Sequence, residues 1–214
     1  MNLLEIIDKV KEKYSSRDLA LFKDKSGNIQ IITIYIVPGL CIHLHSINED
    51  LESTGYMYTY IHPDKRIFLD TLYCYHNFRG NGVAASLSEL MDYLLKDYIG
   101  YIIRGVFSPN QLSTDRIDNI PCSTEELMAR ATSSYQKNGY QIITHDDFLV
   151  NQANYPELVE ELDFQLGEGF TQSIVTKKIV EKPYIYHKIG DLIVNDNARY
   201  LIQEYGLDEK GKRY

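Results

Sequence analysis

A strand, a glycine-bearing turn and a long helix read continuously from Arg66 to Tyr98, RIFLDTLYCYHNFRGNGVAASLSELMDYLLKDY, and the rest of the chain has to be arranged around them. Ile67–Tyr75 is an apolar run of strand length. The helix, beginning near Gly82, carries Val83, Leu87, Leu90, Met91, Leu94, Leu95 and Tyr98 at i, i+4, i+7, i+8, i+11, i+12 and i+15, one face that packs on a sheet. Between them lies Arg79-Gly80-Asn81-Gly82-Val83-Ala84. The first N–H groups of a helix lack internal partners, and the helix dipole adds partial positive charge there, so such a turn suits a phosphate. Gly80 and Gly82 allow positive φ and close approach of the backbone to an anion, and Arg79 adds a full charge.

The same residues exclude two nucleotide folds. A dinucleotide site of the Gly-x-Gly-x-x-Gly kind needs a third glycine where this chain has Ala85. A Walker loop needs Gly-Lys-Ser/Thr, which is absent. The net charge of −8 argues against a general nucleic-acid or anionic-membrane binder. Three cysteines, Cys41, Cys74 and Cys122, form no Cys-x-x-Cys pair, so neither a disulfide framework nor a structural zinc site is expected, and a reducing cytoplasm is the simplest setting. The N-terminal MNLLEIIDKVKEKY has charges throughout and no signal-peptide layout. The uncharged stretch 26–48 is broken by Pro38-Gly39 and reads as strands, not a membrane span.

Along the chain, Leu3, Leu4, Ile6, Ile7, Val10 and Tyr14 predict an amphipathic helix over 2–14. Strands are expected at 18–24, 29–37, 41–47 and 55–61, the first two as a hairpin around Lys25-Ser26-Gly27-Asn28. A strand at 101–107 and a polar loop at 108–121 follow the long helix. Ser123-x-x-Glu126 is a capping box for a helix to Lys137, which Asn138-Gly139 stops. Residues 140–144 and 170–180 are expected to pair as a hairpin around an acidic insertion, 145–169. The pattern changes after Pro183, and 195–205 reads as a short final helix.

A second motif lies at the end of the helix before residue 140: Ala131-x-x-Ser134-Tyr135-Gln136-Lys137-Asn138-Gly139-Tyr140. Together with the glycine turn it resembles the GNAT acyltransferase superfamily, whose acetyl-CoA turn is Arg/Gln-x-x-Gly-x-Gly/Ala and whose later helix ends Ala-x-x-Phe/Leu-Tyr-x-Lys-x-Gly-Phe. The likeness covers residues 66–144. Met128 stands where members often carry Asn, and Ser134 where they carry a larger apolar residue.

The resemblance implies an α/β (α+β) fold: a mixed, mostly antiparallel central sheet splayed in the middle and flanked by helices, over 1–180, with 181–214 an appendage. It implies acetyl-CoA as co-substrate and no metal, with the backbone at Tyr73, Cys74 and Tyr75 along the pantetheine arm. Arg79, Gly80, Asn81, Gly82, Val83 and Ala84 would hold the diphosphate, and Ala131 would line the cofactor helix. Tyr135 is the candidate general acid, protonating the departing CoA thiolate, and Asp70 the candidate base or relay to water for the attacking amine. A core tyrosine and an ordinary surface carboxylate are the plainer readings of these two residues. His76 reads as a surface histidine, the pair His43 and His45 lacks a third metal ligand, and Cys74 and Cys122 read as structural.

The expected activity is direct transfer of an acetyl group to a primary amine on a small molecule or a protein, with the acidic insertion favouring a cationic acceptor. The alternative is a GNAT-shaped module that holds an acyl-CoA or a protein partner without turnover. A homodimer through the final helix, or a helix that merely covers the sheet, are both open.

Overall fold

The computed structural model describes residues 3–15, 18–107, 123–144, 173–190 and 192–201. They fall into two compact units, one drawn from Met1–Tyr101 and Ile179–Tyr214, the other from Ile102–Lys178. The chain forms the expected mixed α/β structure, in which antiparallel strands predominate and three helices flank them among the described residues. No helix among those residues is long and apolar enough to cross a membrane.

The first unit opens with α1 (Leu3–Tyr14), then β1 (Asp18–Lys23), β2 (Ile29–Val37), β3 (Cys41–Asn48), β4 (Ser53–Ile61) and β5 (Arg66–Cys74). A 3-10 turn at His76–Phe78 leads into α2 (Val83–Leu94). Each strand from β1 to β5 pairs antiparallel with the next. The strand starting at Ser53 takes in polar residues expected in the preceding loop, because Ser53 pairs with Ile47 of β3 and Thr54, the extra residue at the bulge there, is fully buried. The helix after the glycine turn stops at Leu94, short of the expected Tyr98, where the Leu95 N–H closes onto Met91 O.

The region expected to be an appendage contributes two more strands to this unit, β9 (Tyr186–Ile189) and β10 (Leu192–Asn195). They pair with each other antiparallel, and β10 lies parallel to β1 through Leu19↔Leu192 and Leu21↔Val194. Asn195, expected to open a helix, instead ends β10 and caps a 3-10 turn at Asp196–Ala198. A helical turn at 200–201 follows, and the remainder of the expected helix lies outside the described residues.

The hydrophobic periodicity of α1 buries Leu3, Ile6, Ile7 and Val10 against Leu19, Leu21, Ile31, Ile47, Leu192 and Val194. Each such side chain contributes about 1.5–3 kcal/mol when fully removed from water. The opposite face of the sheet takes α2, whose Val83, Leu87, Leu90 and Met91 are buried. Asp92, buried on that helix, is compensated by an ion pair with Lys182.

The second unit contains β6 (Ile102–Phe107), α3 (Thr124–Lys137), β7 (Gln141–Thr144) and β8 (Ser173–Lys178). As expected, β7 and β8 are antiparallel partners, and β8 also pairs antiparallel with β6. Ser123 caps α3, its hydroxyl accepting from the Glu126 N–H at 3.1 Å. The loop 108–121, Cys122 and the acidic insertion 145–169 lie outside the described residues.

Candidate functional site

The glycine turn is fixed from both sides by backbone hydrogen bonds. Where β5 leaves the sheet, Tyr75 N–H donates to Thr54 O at 3.0 Å, and at the far side of the turn Lys25 N–H donates to Asn81 O at 3.0 Å. The turn between β1 and β2 is thus docked on Asn81, and Ser26 Oγ adds a contact to Asn81 Oδ1 at 3.3 Å. A buried polar chain supports both anchors. Gln30 Nε2 donates to Asp24 Oδ2 at 3.1 Å, and Thr54 Oγ1 lies 2.9 Å from Gln30 Oε1 and 2.8 Å from Ser46 Oγ. A hydroxyl has one proton, so Thr54 donates to Gln30 while Ser46 donates to Thr54. Asp24, Gln30, Ser46 and Thr54 are all buried, so the network is satisfied internally where water does not reach.

Within the turn Gly80 has φ of 83° and Gly82 of 91°, both in the left-handed region. A side chain is strained there by roughly 1–2 kcal/mol. Gly82 is the N-cap of α2 and, having no side chain, caps none of its N–H groups. A methyl group built at Gly80 would meet nothing within 4 Å, so the space above the turn is open. At Gly82 it would meet the Lys25 stem, Cγ at 3.7 Å and Cε at 3.8 Å. The uncapped N–H groups, the open approach and this neighbouring lysine fit a phosphate-bearing ligand. Lys25 was not legible as a site residue, because only the folding of the β1–β2 turn onto Asn81 brings it there.

Arg79 is held by its Nε, which donates to Cys74 O at 3.0 Å, and its guanidinium carbon lies 5.8 Å from the Tyr73 ring centroid. Tyr75 N–H faces β4, so by the alternation of an antiparallel ladder the Cys74 N–H and C=O point away from β4. The carbonyl accepts from Arg79, and the Cys74 N–H points to the same side. Burial pushes the Cys74 thiol up to about 11, the nearby Arg79 opposing weakly. Thiolate at neutral pH is then about a hundredfold scarcer than for an ordinary cysteine. Cys74 is accordingly expected to react with iodoacetamide at pH 7.5 far more slowly than free cysteine. Labelling followed by peptide mass mapping checks this, and rapid modification of Cys74 would contradict it.

Gly55 is a further position not singled out from the sequence. It pairs with Cys74 in the β4–β5 ladder. A Cβ there would lie 2.7 Å from Tyr73 O and 3.0 Å from Val83 Cγ1. The glycine lets the first turn of α2 sit directly on the strand pair that feeds the glycine turn.

Asp70 sits at a β-bulge. Tyr58 pairs with Thr71 and Thr59 with Leu69, leaving Asp70 as the extra residue. Asp70 keeps the alternation set by Phe68, which pairs with Tyr60, and the inserted residue shifts Thr71 to Cys74 by one position against β4. Asp70 is exposed, accepts from Thr71 Oγ1 at 3.0 Å, and its charge contributes to raising the pKa of Tyr58. It therefore shares the sheet face of Tyr58, away from α2.

That face carries a tract of rings. Tyr56 stacks on Tyr58 at 5.1 Å and on Tyr73 at 5.3 Å, and Tyr75 closes edge-on against Tyr73 at 5.2 Å. His43 lies 4.7 Å from Tyr58 and 5.6 Å from Tyr60. Burial first, and neighbouring phenols second, push the Tyr56 and Tyr58 hydroxyls above the ordinary phenol range, so they are neutral donors and acceptors at physiological pH. His45 is engaged with Ser53 Oγ at 3.0 Å, and burial and Lys13 hold its pKa below the usual histidine range. His76 lies in the 3-10 turn, half-buried.

In the second unit, Ala131 and Tyr135 are one helical turn apart on α3, and both are half-buried. The Tyr135 carbonyl accepts from the N–H groups of Asn138 and Tyr140 at 3.0 and 3.1 Å, which ends the helix at Asn138-Gly139. Its ring meets Tyr140 edge-on at 5.6 Å. Burial pushes its phenol up to about 12, so it keeps its proton across the physiological range.

No protein-family model matches the chain, and no curated protein matches it. Solved structures resemble its backbone in part. Nourseothricin acetyltransferase aligns at 10% identity over 77% of this chain and 85% of its own, with a TM-score of 0.44. A GNAT-family acetyltransferase from Staphylococcus aureus Mu50 aligns at 11% identity over 65% and 68%, TM-score 0.43. The aminoglycoside 6'-N-acetyltransferase of Enterococcus faecium aligns at 15% identity over 69% and 77%, TM-score 0.41. With agreement at this level, the functional reading has to come from the chain's own residues.

Proposed function

We propose that this chain is an acetyl-CoA-dependent N-acetyltransferase acting on a primary amine. The observation that carries the reading is the turn between β5 and α2: two glycines at positive φ, an N-cap without a side chain, and open space above Gly80. The diphosphate of acetyl-CoA lies on the N–H groups at Val83 and Ala84, with Arg79 and Lys25 as flanking cations. The pantetheine arm runs past the C-terminal end of β5, where the Cys74 N–H donates to it. Ala131 leaves room along α3.

In this reading the acceptor's ammonium gives one proton to Asp70, directly or through water, and the neutral nitrogen attacks the thioester carbonyl carbon, losing its second proton to solvent as the adduct collapses. The carbon–sulfur bond breaks as the amide forms. The Tyr135 phenol donates its proton to the departing thiolate and regains one from solvent. Because the phenol is held protonated well above neutral pH, it is in the donor state when the thiolate leaves. The poorly ionised Cys74 favours direct attack over an acyl-cysteine intermediate.

Calorimetric titration with acetyl-CoA, followed by thiol-release assays on a panel of amines, tests the reading. Saturable binding with thiol release on at least one amine is the expected result. Binding with no turnover on any amine would favour an acyl-CoA-holding module, and no binding would remove the proposal.

A further inference from the structure

The tyrosine-rich face of β3, β4 and β5 is not needed to bind the donor, yet it has the composition of a binding surface. Its rings are in mutual contact across three strands, Tyr56 stacking at once on Tyr58 and Tyr73. Among the described residues the carboxylate of Asp70 stands with them, on the face that Phe68, two residues before it, shares with its partner Tyr60. Asp70 is exposed, and its one hydrogen bond among the described residues comes from its neighbour Thr71. Among those residues no lysine or arginine pairs with it. On the same face the His43 Nε2 atom is buried without a hydrogen-bond partner, its ring enclosed by tyrosines.

An uncompensated carboxylate beside electron-rich ring faces and edges is complementary to one ligand chemistry, an organic cation. The carboxylate supplies the charge, and tyrosine rings attract a positive centre through their quadrupoles. A neutral apolar ligand would gain nothing from Asp70, and an anion would be repelled by it. We infer that Asp70, Tyr58 and Tyr56 form a seat for an organic ammonium group, with Tyr73, Tyr75 and His43 as its rigid backing. If the acyl-transfer reading above holds, this is where the acceptor is held, and the acceptor is selected for a positive charge on an organic body. The seat itself does not depend on donor binding.

A quaternary ammonium probe tests the seat without chemistry, since tetramethylammonium has no N–H to acetylate. The chain has 18 tyrosines and no tryptophan, so its intrinsic emission reports directly on such rings. Titration of the full chain with tetramethylammonium chloride, against sodium chloride at equal ionic strength, is expected to give a saturable change in tyrosine emission. Asp70→Asn should weaken it about tenfold or more, and Tyr58→Leu about three- to tenfold, whereas Tyr58→Phe keeps the ring and should stay within about twofold. Circular dichroism establishes that each variant is folded, and the phenylalanine variant preserves the packing if the leucine one does not. Neopentyl alcohol, a neutral probe of similar shape, should give no saturable response. The inference fails if tetramethylammonium gives no response, if the response survives both Asp70→Asn and Tyr58→Leu, or if neopentyl alcohol binds equally well. Absence of acetyl-CoA binding with the ammonium response intact would instead remove the acyl-transfer reading and leave the seat standing.

Discussion

Gly82→Val is expected to weaken acetyl-CoA binding by at least about a hundredfold, more than 2.7 kcal/mol, while leaving a folded protein. Three effects act together at this position. Its φ of 91° is strained for any residue with a Cβ and strongly disfavoured for a β-branched one. The N-cap geometry that presents the α2 N–H groups shifts when that strain is relieved. The side chain also grows toward the Lys25 stem, which lies 3.7 Å from where its Cβ would stand. The strain itself costs on the order of 1–3 kcal/mol of stability, less than the whole of a typical domain's margin. Calorimetry with acetyl-CoA and a denaturant titration separate the two effects. Gly80→Ala is the internal comparison: its methyl group meets nothing within 4 Å, so it carries the positive-φ strain without a contact. Binding by Gly82→Val equal to wild type would mean that the ligand does not use this turn.

Gly55→Ala should be the more damaging change to the fold although it adds only one methyl group. The Cβ would lie 2.7 Å from the Tyr73 carbonyl oxygen, which is backbone and cannot rotate aside, and 3.0 Å from Val83 Cγ1. Overpacking of this kind costs about 1–3 kcal/mol, toward the upper end where a strand must move. Relief requires β5 to separate from β4 at Tyr73–Cys74 or α2 to lift at Val83, and either displaces the donor edge and the glycine turn together. A lowered denaturation midpoint accompanied by weaker acetyl-CoA binding is the expected outcome. Wild-type stability would show that the contact is relieved at little cost.

The strong local signals in the sequence were reliable where a run was long and periodic. The strand at 29–37, the helix to Lys137 and the strand-turn-helix around Gly80 and Gly82 could be placed because apolar period, turn residues and capping residues agree there. The two strands at 186–189 and 192–195 were not legible, since each has only four residues and their partner β1 lies far away in sequence. The site follows the same division. Arg79 to Ala84 are contiguous and carry a pattern. Gly55 and Lys25 reach the turn only through strand pairing and the docking of a hairpin, and Tyr73 shares a face with Tyr56 only because one residue is inserted in the ladder. Pairing register and bulges are properties of two strands at once, so neither strand announces them alone.

The parallel pairing of β1 with β10 bears on how the molecule is made. During synthesis β1 acquires β2 almost at once, but its other edge waits for residues such as Asn197, which accepts from the Lys23 N–H across a sequence separation of 174. Until then an apolar strand edge is open on the nascent chain. Closure of so long a loop is a slow step, and a growing polypeptide with an unpaired edge is vulnerable to pairing with a second copy. The first unit can therefore complete its sheet only after the second has left the ribosome, which makes order of emergence, as much as final stability, a determinant of its yield.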